Sequence, residues 1–293
     1  MDKVIVIGGS GFIGSHMVDQ LNHHGFEVVV FDQKKSDWFR DDQEIVLGSV
    51  LDRDLIAEVL NGAKYVYHFA GIADITEASL SPYETFNLNV MGTINLLEMS
   101  ALNNIERFIF ASSMYVYSPY GSYYTASKQC SEIIIEAFQK ETNLDYTILR
   151  YGSLYGPRAQ HWNGLNSFIT QIVQNGKLEY FGTGEEKREY IHVEDAARLS
   201  LEILAKEYTN SAVTITGTQV YNSRELIDMI FEIVGKQPIV RMSNTEDDRS
   251  HYIKTPYRYN PKHARKLTPK SFVDIGQGIL EIIEHVDDHD SVE

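Results

Sequence analysis

Residues 3–21, KVIVIGGSGFIGSHMVDQL, decide the fold. Lys3 to Ile7 is β-branched and apolar on both faces, the composition of a parallel strand buried on both sides. Gly8-Gly9-Ser10-Gly11-Phe12-Ile13-Gly14 then turns the chain, and Phe12, Ile13, Met17, Val18 and Leu21 recur at helical spacing. A glycine-rich turn between a buried strand and a helix is the fingerprint of a dinucleotide site. Gly8 permits the tight turn, Gly11 lets backbone approach a pyrophosphate, and Gly14 lets the helix pack closely on the sheet. Free N–H groups at the helix start, around Phe12 and Ile13, would face the phosphates.

Working outward, Gly25 ends that helix, and a second buried strand, Phe26 to Phe31, leads into Asp32, eighteen residues after Gly14. A carboxylate there accepts hydrogen bonds from the adenosine ribose and repels a 2′-phosphate, which favours NAD over NADP. Lys34 and Lys35 follow, and read either as surface lysines or as phosphate ligands. Asp52, past a short third strand at Ile45–Leu47, is placed to meet the adenine amino group or to serve as an exposed turn aspartate.

The alternation continues with a helix at Asp54–Leu60, a strand at Tyr65–Phe69, a helix at Val90–Ala101 and a strand at Phe108–Ala111. A helix at Thr125–Thr142 and a strand at Tyr146–Arg150 follow. The fold class is α/β: a Rossmann-type doubly wound parallel sheet with a smaller, mostly helical C-terminal substrate lobe. Residues 156–164 read as a loop and 182–186 as a tight turn, with helices at Leu165–Asn175, Glu194–Ala205, Arg224–Val234 and Val273–Val286. The expected division is 1–160 as the NAD-binding domain, whose core also receives later segments. Residues 161–286 form mainly the substrate-binding lobe, partly interleaved, and 287–293 an acidic, frayed tail.

A net charge of −15 gives no general attraction to nucleic acid or anionic lipid, so neither is an expected partner. No apolar run reaches membrane-spanning length, and the first residues enter a strand directly; the expected location is cytoplasmic. The single cysteine, Cys130, excludes an intramolecular disulfide and any cysteine-rich metal site within one chain. His68 and His192 have no ligand-spaced partners and read as satisfied structural histidines; no metal is expected.

Tyr124 and Lys128 lie four apart at the start of a helix and share a face. An ammonium beside a phenol favours the phenolate, so Tyr124 can serve as general base on an alcohol and as acid on the return. YxxxK alone is weak in a chain with 18 tyrosines. Ser112 and Ser113 end a strand on the side where open α/β sheets hold ligands, and either can bond a substrate oxygen or cap a turn. Asn89 precedes a helix as a cap or an active-site polar group.

Together these segments resemble the NAD-dependent epimerase/dehydratase family of extended short-chain dehydrogenases/reductases, which act on nucleotide sugars. The resemblance runs from about Lys3 to about Glu284. It is carried by GGSGFIGS at 8–15, HFAG at 68–71, NVMGTINLLE at 89–98 and SSMYVYS at 112–118. YTASK at 124–128, LRYGSLYGPR at 149–158 and GTGEEKREYIHVEDAA at 182–197 complete it. The resemblance implies catalytic Ser113, Tyr124 and Lys128, with Tyr124 and Lys128 also at the cofactor. It implies that Ala70 and Gly71 line the dinucleotide, that Asn89 lies near the nicotinamide, and that Arg188, with Arg249 as a second clamp, holds a nucleotide-sugar diphosphate. A homodimer is expected on the same ground.

Dehydratases of this kind carry an Asp-Glu pair after the catalytic Ser/Thr, and the decarboxylases keep a glutamate at the second position. Met114 and Tyr115 stand there instead, which disfavours both reactions. The expected enzyme is an NAD-dependent epimerase of a nucleotide-diphosphate sugar, working at C4 through a transient 4-keto sugar. The alternatives are a keto-sugar reductase or dehydrogenase and a non-catalytic NAD-binding regulator. The ten residues between Ser113 and Tyr124 are fewer than usual, and Gly152-Ser153 replaces a common Phe-Asn; both suggest a pocket for an unusual or bulkier sugar.

Overall fold

The computed structural model describes residues 1–243 and 265–290. The first strands are β1 (Lys3–Ile7), β2 (Glu27–Asp32), β3 (Glu44–Leu47), β4 (Tyr65–His68), β5 (Arg107–Ser113) and β6 (Asp145–Tyr151). Later come β7 (Ser153–Tyr155), β8 (Leu178–Phe181), β9 (Lys187–His192), β10 (Ser211–Ile215), β11 (Val220–Asn222), β12 (Val240–Ser243) and β13 (Arg265–Leu267). The helices are α1 (Phe12–His23), α2 (Arg53–Leu60), α3 (Ile75–Leu80), α4 (Pro82–Phe86) and α5 (Gly92–Leu102). They continue with α6 (Ser122–Thr142), α7 (Gly164–Asn175), α8 (Val193–Glu202), α9 (Ser223–Val234) and α10 (Ile275–Asp290).

Eight strands form one parallel sheet in the order β13-β10-β6-β5-β4-β1-β2-β3. Side chains of a strand alternate between faces, and the two central strands show it. Val4, Val6, Val28 and Val30 pack with Met17, Val18 and Leu21 of α1 and Ala196 and Leu199 of α8. Ile5, Ile7, Val29 and Phe31 pack on the other side, with Ile56 and Val59 of α2, Leu96 and Leu97 of α5 and Ile135 of α6. The doubly wound reading therefore holds. From β1 the chain proceeds to β2 and β3 on one side, then returns to β4, β5 and β6 on the other. The crevice outside the carboxyl ends of β1 and β4 is the topological switch point, where such sheets hold ligands.

The C-terminal lobe has its own core: Leu165, Ile169 and Ile172 of α7, Leu226, Ile230 and Phe231 of α9, and Ile279 and Ile282 of α10. A reciprocal capping box, Asn222 with Glu225, starts α9. The sequence reading placed no strand after Arg150, yet β7 to β13 follow. Three of these, β7, β11 and β13, are three residues long, too short to show a period. β10 and β13 extend the main sheet past β6, while β11-β9-β7 and β12-β8 form two small sheets. α10 also runs to Asp290, through residues 287–290 that were expected to fray; no glycine or proline interrupts the chain from Ile279 onward.

Candidate active site

The turn after β1 is close-packed backbone. Gly8 adopts φ 81° and its N–H donates to Phe31 O at 2.8 Å, fixing the turn to the neighbouring strand. A Cβ on Gly8 would lie 2.5 Å from Ala70 N, so the turn touches the strand-end segment that follows β4. A Cβ on Gly14 would lie 2.2 Å from Gly8 O. Gly9, which the sequence reading gave no role, is also restricted: a Cβ would meet Val30 Cγ1 at 2.9 Å. At Gly11, which is exposed, a Cβ would lie 3.3 Å from Gly8 O, a milder crowding than at Gly8 or Gly14. Gly11 is the N-cap of α1 and offers no side-chain cap, which leaves the first-turn N–H groups of that helix for an outside acceptor. These observations fit a bound dinucleotide pyrophosphate.

Asp32 ends β2 beside this turn. Its Oδ2 accepts from Ser10 N at 2.9 Å and its Oδ1 from Gln33 N at 2.7 Å. The carboxylate is thus pre-oriented at the rim of the crevice, partly exposed, as a ribose ligand needs to be. Asp52 is exposed and caps α2, accepting from Leu55 N at 3.1 Å. That is the local role its position in a turn allowed. Lys34 and Lys35 are exposed, and Lys35 Nζ rests 4.5 Å from the Phe39 ring centre.

Ser113 ends β5, and Lys128, beside Tyr124 on α6, reaches the same end of that strand at Ala111. Lys128 is 6% exposed; its Nζ donates to Ala111 O at 2.8 Å and sits 6.0 Å from the centre of the Tyr124 ring. Burial pushes its amine down to about 8, against the upward pull of the Glu132 carboxylate. The two candidate serines part company here. Ser112 Oγ donates to the buried Glu132 at 2.6 Å and is committed to the core. Ser113 Oγ instead accepts from Tyr115 N at 3.2 Å, opening a 3₁₀ turn at Met114–Tyr117, and keeps its hydroxyl proton for another acceptor.

The short segment before α6 leaves Tyr124 covered by neighbouring side chains. Gly121 is left-handed, with φ 94°, and a Cβ there would meet Tyr115 Cδ1 at 2.7 Å. The tight chain brings Tyr115 edge-on against Tyr124, ring centres 6.1 Å apart. Ile72, Ile75 and Ala78 pack on the same phenol, which is 9% exposed.

Asn89 sits in a π-helical turn, Asn87–Met91, between α4 and α5. Such turns often mark functional sites. Its Oδ1 accepts from Ile72 N at 2.8 Å, and its Nδ2 donates to Ile72 O at 3.0 Å and to Ser127 Oγ at 3.0 Å. Both amide hydrogens are used inside the protein, so Asn89 ties the Ala70-Gly71 segment to α6. Gly71, at φ 142°, has no room for a Cβ, which would fall 2.5 Å from Asn89 Oδ1.

His68 is only half satisfied. Thr93 Oγ1 gives its proton to Asn89 O at 2.6 Å, so it accepts from His68 Nε2 at 3.0 Å, while His68 Nδ1 is buried without a partner. Burial, and then Lys128, lower this imidazole to about 3, keeping it neutral. His192 is also held below its usual value by burial; its Nε2 lies 3.1 Å from Glu281 Oε2 without hydrogen-bond geometry. Among the described residues no group of three ligating side chains could hold a metal.

Arg188 lies in β9 opposite Tyr221, within the lobe, partly buried. Its charge opposes the burial that raises the Tyr180 phenol. Arg249 lies outside the described residues. What the sequence reading missed is a buried cluster behind Lys128: Glu132, 0% exposed, takes Arg150 Nε at 3.0 Å and Nη2 at 2.8 Å. Arg150 also donates to Tyr117 Oη. The signal was present, since Glu132 is four residues past Lys128 on the face that Tyr124 and Lys128 already require to be buried.

A Rossmann sheet with a pyrophosphate cradle, and a tyrosine–lysine pair two strands away, define a nicotinamide-dependent enzyme class. A family model described as the NAD-dependent epimerase/dehydratase family matches residues 4–216, and the chain belongs to that family, with NAD as its cofactor. The chain is 29% identical over 297 residues to a UDP-glucose 4-epimerase of Yersinia enterocolitica, covering 80% of this chain and 83% of that one. It is 25% identical over 270 residues to UDP-glucuronic acid decarboxylase 1 of Xenopus tropicalis, covering 84% of this chain and 64% of that one. The crystal structure of a Thermotoga maritima UDP-glucose 4-epimerase with UDP-glucose superposes with a TM-score of 0.84 at 26% identity, covering 99% of this chain and 100% of that one. Among the described residues no helix is long and apolar enough to cross a membrane.

Proposed function

We propose that this enzyme epimerises a nucleotide-diphosphate sugar at C4. The observation that carries the reading is the pair of side chains after Ser113. Met114 is 1% exposed and packs with Val116 and Tyr117, and Tyr115 lies against Tyr124. Neither supplies the carboxyl group that expulsion of a hydroxyl or handling of a carboxylate substrate would draw on. What remains at the site is the equipment for moving one proton to and from a sugar hydroxyl. NAD, when bound, supplies a hydride acceptor and later a hydride donor.

In this reading Tyr124 starts as a phenolate stabilised by the ammonium of Lys128, takes the proton of the C4 hydroxyl and becomes a neutral phenol. Ser113 donates to the same oxygen and holds it while its charge changes. The sugar, held by its diphosphate, turns over as the 4-keto form and recovers its proton from Tyr124. Arg188 is assigned to the diphosphate because a guanidinium fork suits phosphate oxygens. Nucleotide-diphosphate sugars are the substrate class because the similar Yersinia and Thermotoga proteins are UDP-glucose 4-epimerases. Two copies pairing as a homodimer and a cytoplasmic location complete the proposal.

The test is incubation of the purified protein with NAD and UDP-, GDP-, CDP- or dTDP-glucose, read by mass spectrometry and proton NMR. Conversion at unchanged mass with inversion at C4 is the expected result. Steady accumulation of NADH, or loss of water from the sugar, would refute it.

A further inference from the structure

Behind the reactive face of α6 lies a charge pair that the proton transfer above does not use. Glu132 is 0% exposed and Arg150 1%. Glu132 Oε1 accepts from Ser112 Oγ and Arg150 Nε, and its Oε2 from Arg150 Nη2. Ser112 is the neighbour of Ala111, whose carbonyl receives the Lys128 amine. Carboxylate and amine are therefore fixed on adjacent residues of one strand and on successive turns of one helix. Burying an ammonium is costly unless a counter-charge is near. A carboxylate free to swing would close on Lys128 and draw it from the phenol; the bidentate grip of Arg150 prevents that.

We propose that Glu132 is a positioning residue of this site: clamped by Arg150 and Ser112, it is the counter-ion that keeps the buried Lys128 amine charged beside Tyr124. This rests on the acid–base reading of Tyr124 and Lys128. Among the described residues, the titratable and charged groups around the amine are Tyr124 and Glu132 on α6 and His68, neutral through burial, on β4. Behind Glu132 on β6 is Arg150, bound to that carboxylate and to the Tyr117 hydroxyl. Phe110 offers its ring face 4.8 Å away. Of these, Glu132 favours the ammonium, whereas burial opposes it.

Removing the Glu132 charge leaves Lys128 and Arg150 as two buried cations. The amine then gives up its proton at lower pH, and Tyr124 loses the ammonium that favours its phenolate. The test uses the full chain saturated with NAD. Tyrosinate absorbance is followed against pH for each protein and for the same protein carrying Tyr124→Phe, so that the difference isolates Tyr124. Glu132→Gln moves that difference to higher pH by about one unit or more, and Glu132→Asp stays nearer the wild type. If Glu132→Gln does not fold, Glu132→Gln with Arg150→Met removes both charges at similar volume, and an upward displacement is again expected.

A Glu132 variant that titrates as the wild type does, whatever its stability, overturns the inference and leaves the Tyr124 reading standing. A wild-type protein in which Tyr124→Phe removes no titrating absorbance overturns the acid–base reading itself, and the inference with it.

Discussion

Replacing Asn89 by Leu tests whether the wall of the dinucleotide crevice is held from behind. Leucine is close to asparagine in size and apolar, so the change removes hydrogen bonds with little change in packing. Three are lost: from Ile72 N, to Ile72 O and to Ser127 Oγ. Ser127 Oγ still donates to Tyr124 O at 2.8 Å and is only partly deprived. Ile72 N–H and C=O lose the Asn89 partner in a site where Asn89 is 2% exposed. Each buried backbone group left unpaired costs about 1–3 kcal/mol, so the sum for the two is about 2–6 kcal/mol. Against a typical domain stability of about 5–15 kcal/mol that is a large fraction. Urea unfolding without NAD should show it, and calorimetric NAD affinity should fall about tenfold or more as the Ala70-Gly71 segment loosens. A loss under about 1 kcal/mol with unchanged NAD affinity would refute the claim that Asn89 acts through Ile72.

Gly14→Ala puts a methyl group 2.2 Å from the Gly8 carbonyl oxygen, an overlap with backbone that no rotamer change relieves. NAD titration should show binding reduced beyond tenfold in a protein that still folds; full affinity would mean the turn yields. Tyr124→Phe and Lys128→Met should each lower turnover at least a hundredfold while NAD still binds, measured by single-turnover NMR; a variant retaining wild-type turnover removes that residue from the chemistry. Acidification should destabilise the fold through His16 and His68. Burial holds these at about 4 and about 3, below their ordinary 6.5, so the unfolded chain takes up protons that the native one refuses. Their contribution is complete above pH 6.5 and fades as pH falls toward 4 and 3, at about 1.4 kcal/mol each by pH 5.5. Urea curves at pH 7 and 5.5 measure it, and His68→Gln should remove its share; an unaltered difference would show that His68 titrates normally.

The glycine turn, the buried strands and the Tyr124–Lys128 spacing were legible because each is a local pattern whose physics is complete within a dozen residues. A strand apolar on both faces must be covered on both, and a helix that opens on glycines must leave its first N–H groups uncapped. The sequence therefore determined the doubly wound sheet, the place of the dinucleotide crevice and the reactive helix face. It did not determine the short strands β7, β11 and β13, whose existence depends on the strands they pair with. Nor could it choose between Ser112 and Ser113, which are adjacent and chemically identical until Glu132 takes one of them. Asn89 and Arg150 gained their partners, 17 and 18 residues away, only when the chain closed on itself. Such choices belong to the tertiary structure because a buried polar group is defined by what satisfies it, and that partner comes from another element of the fold.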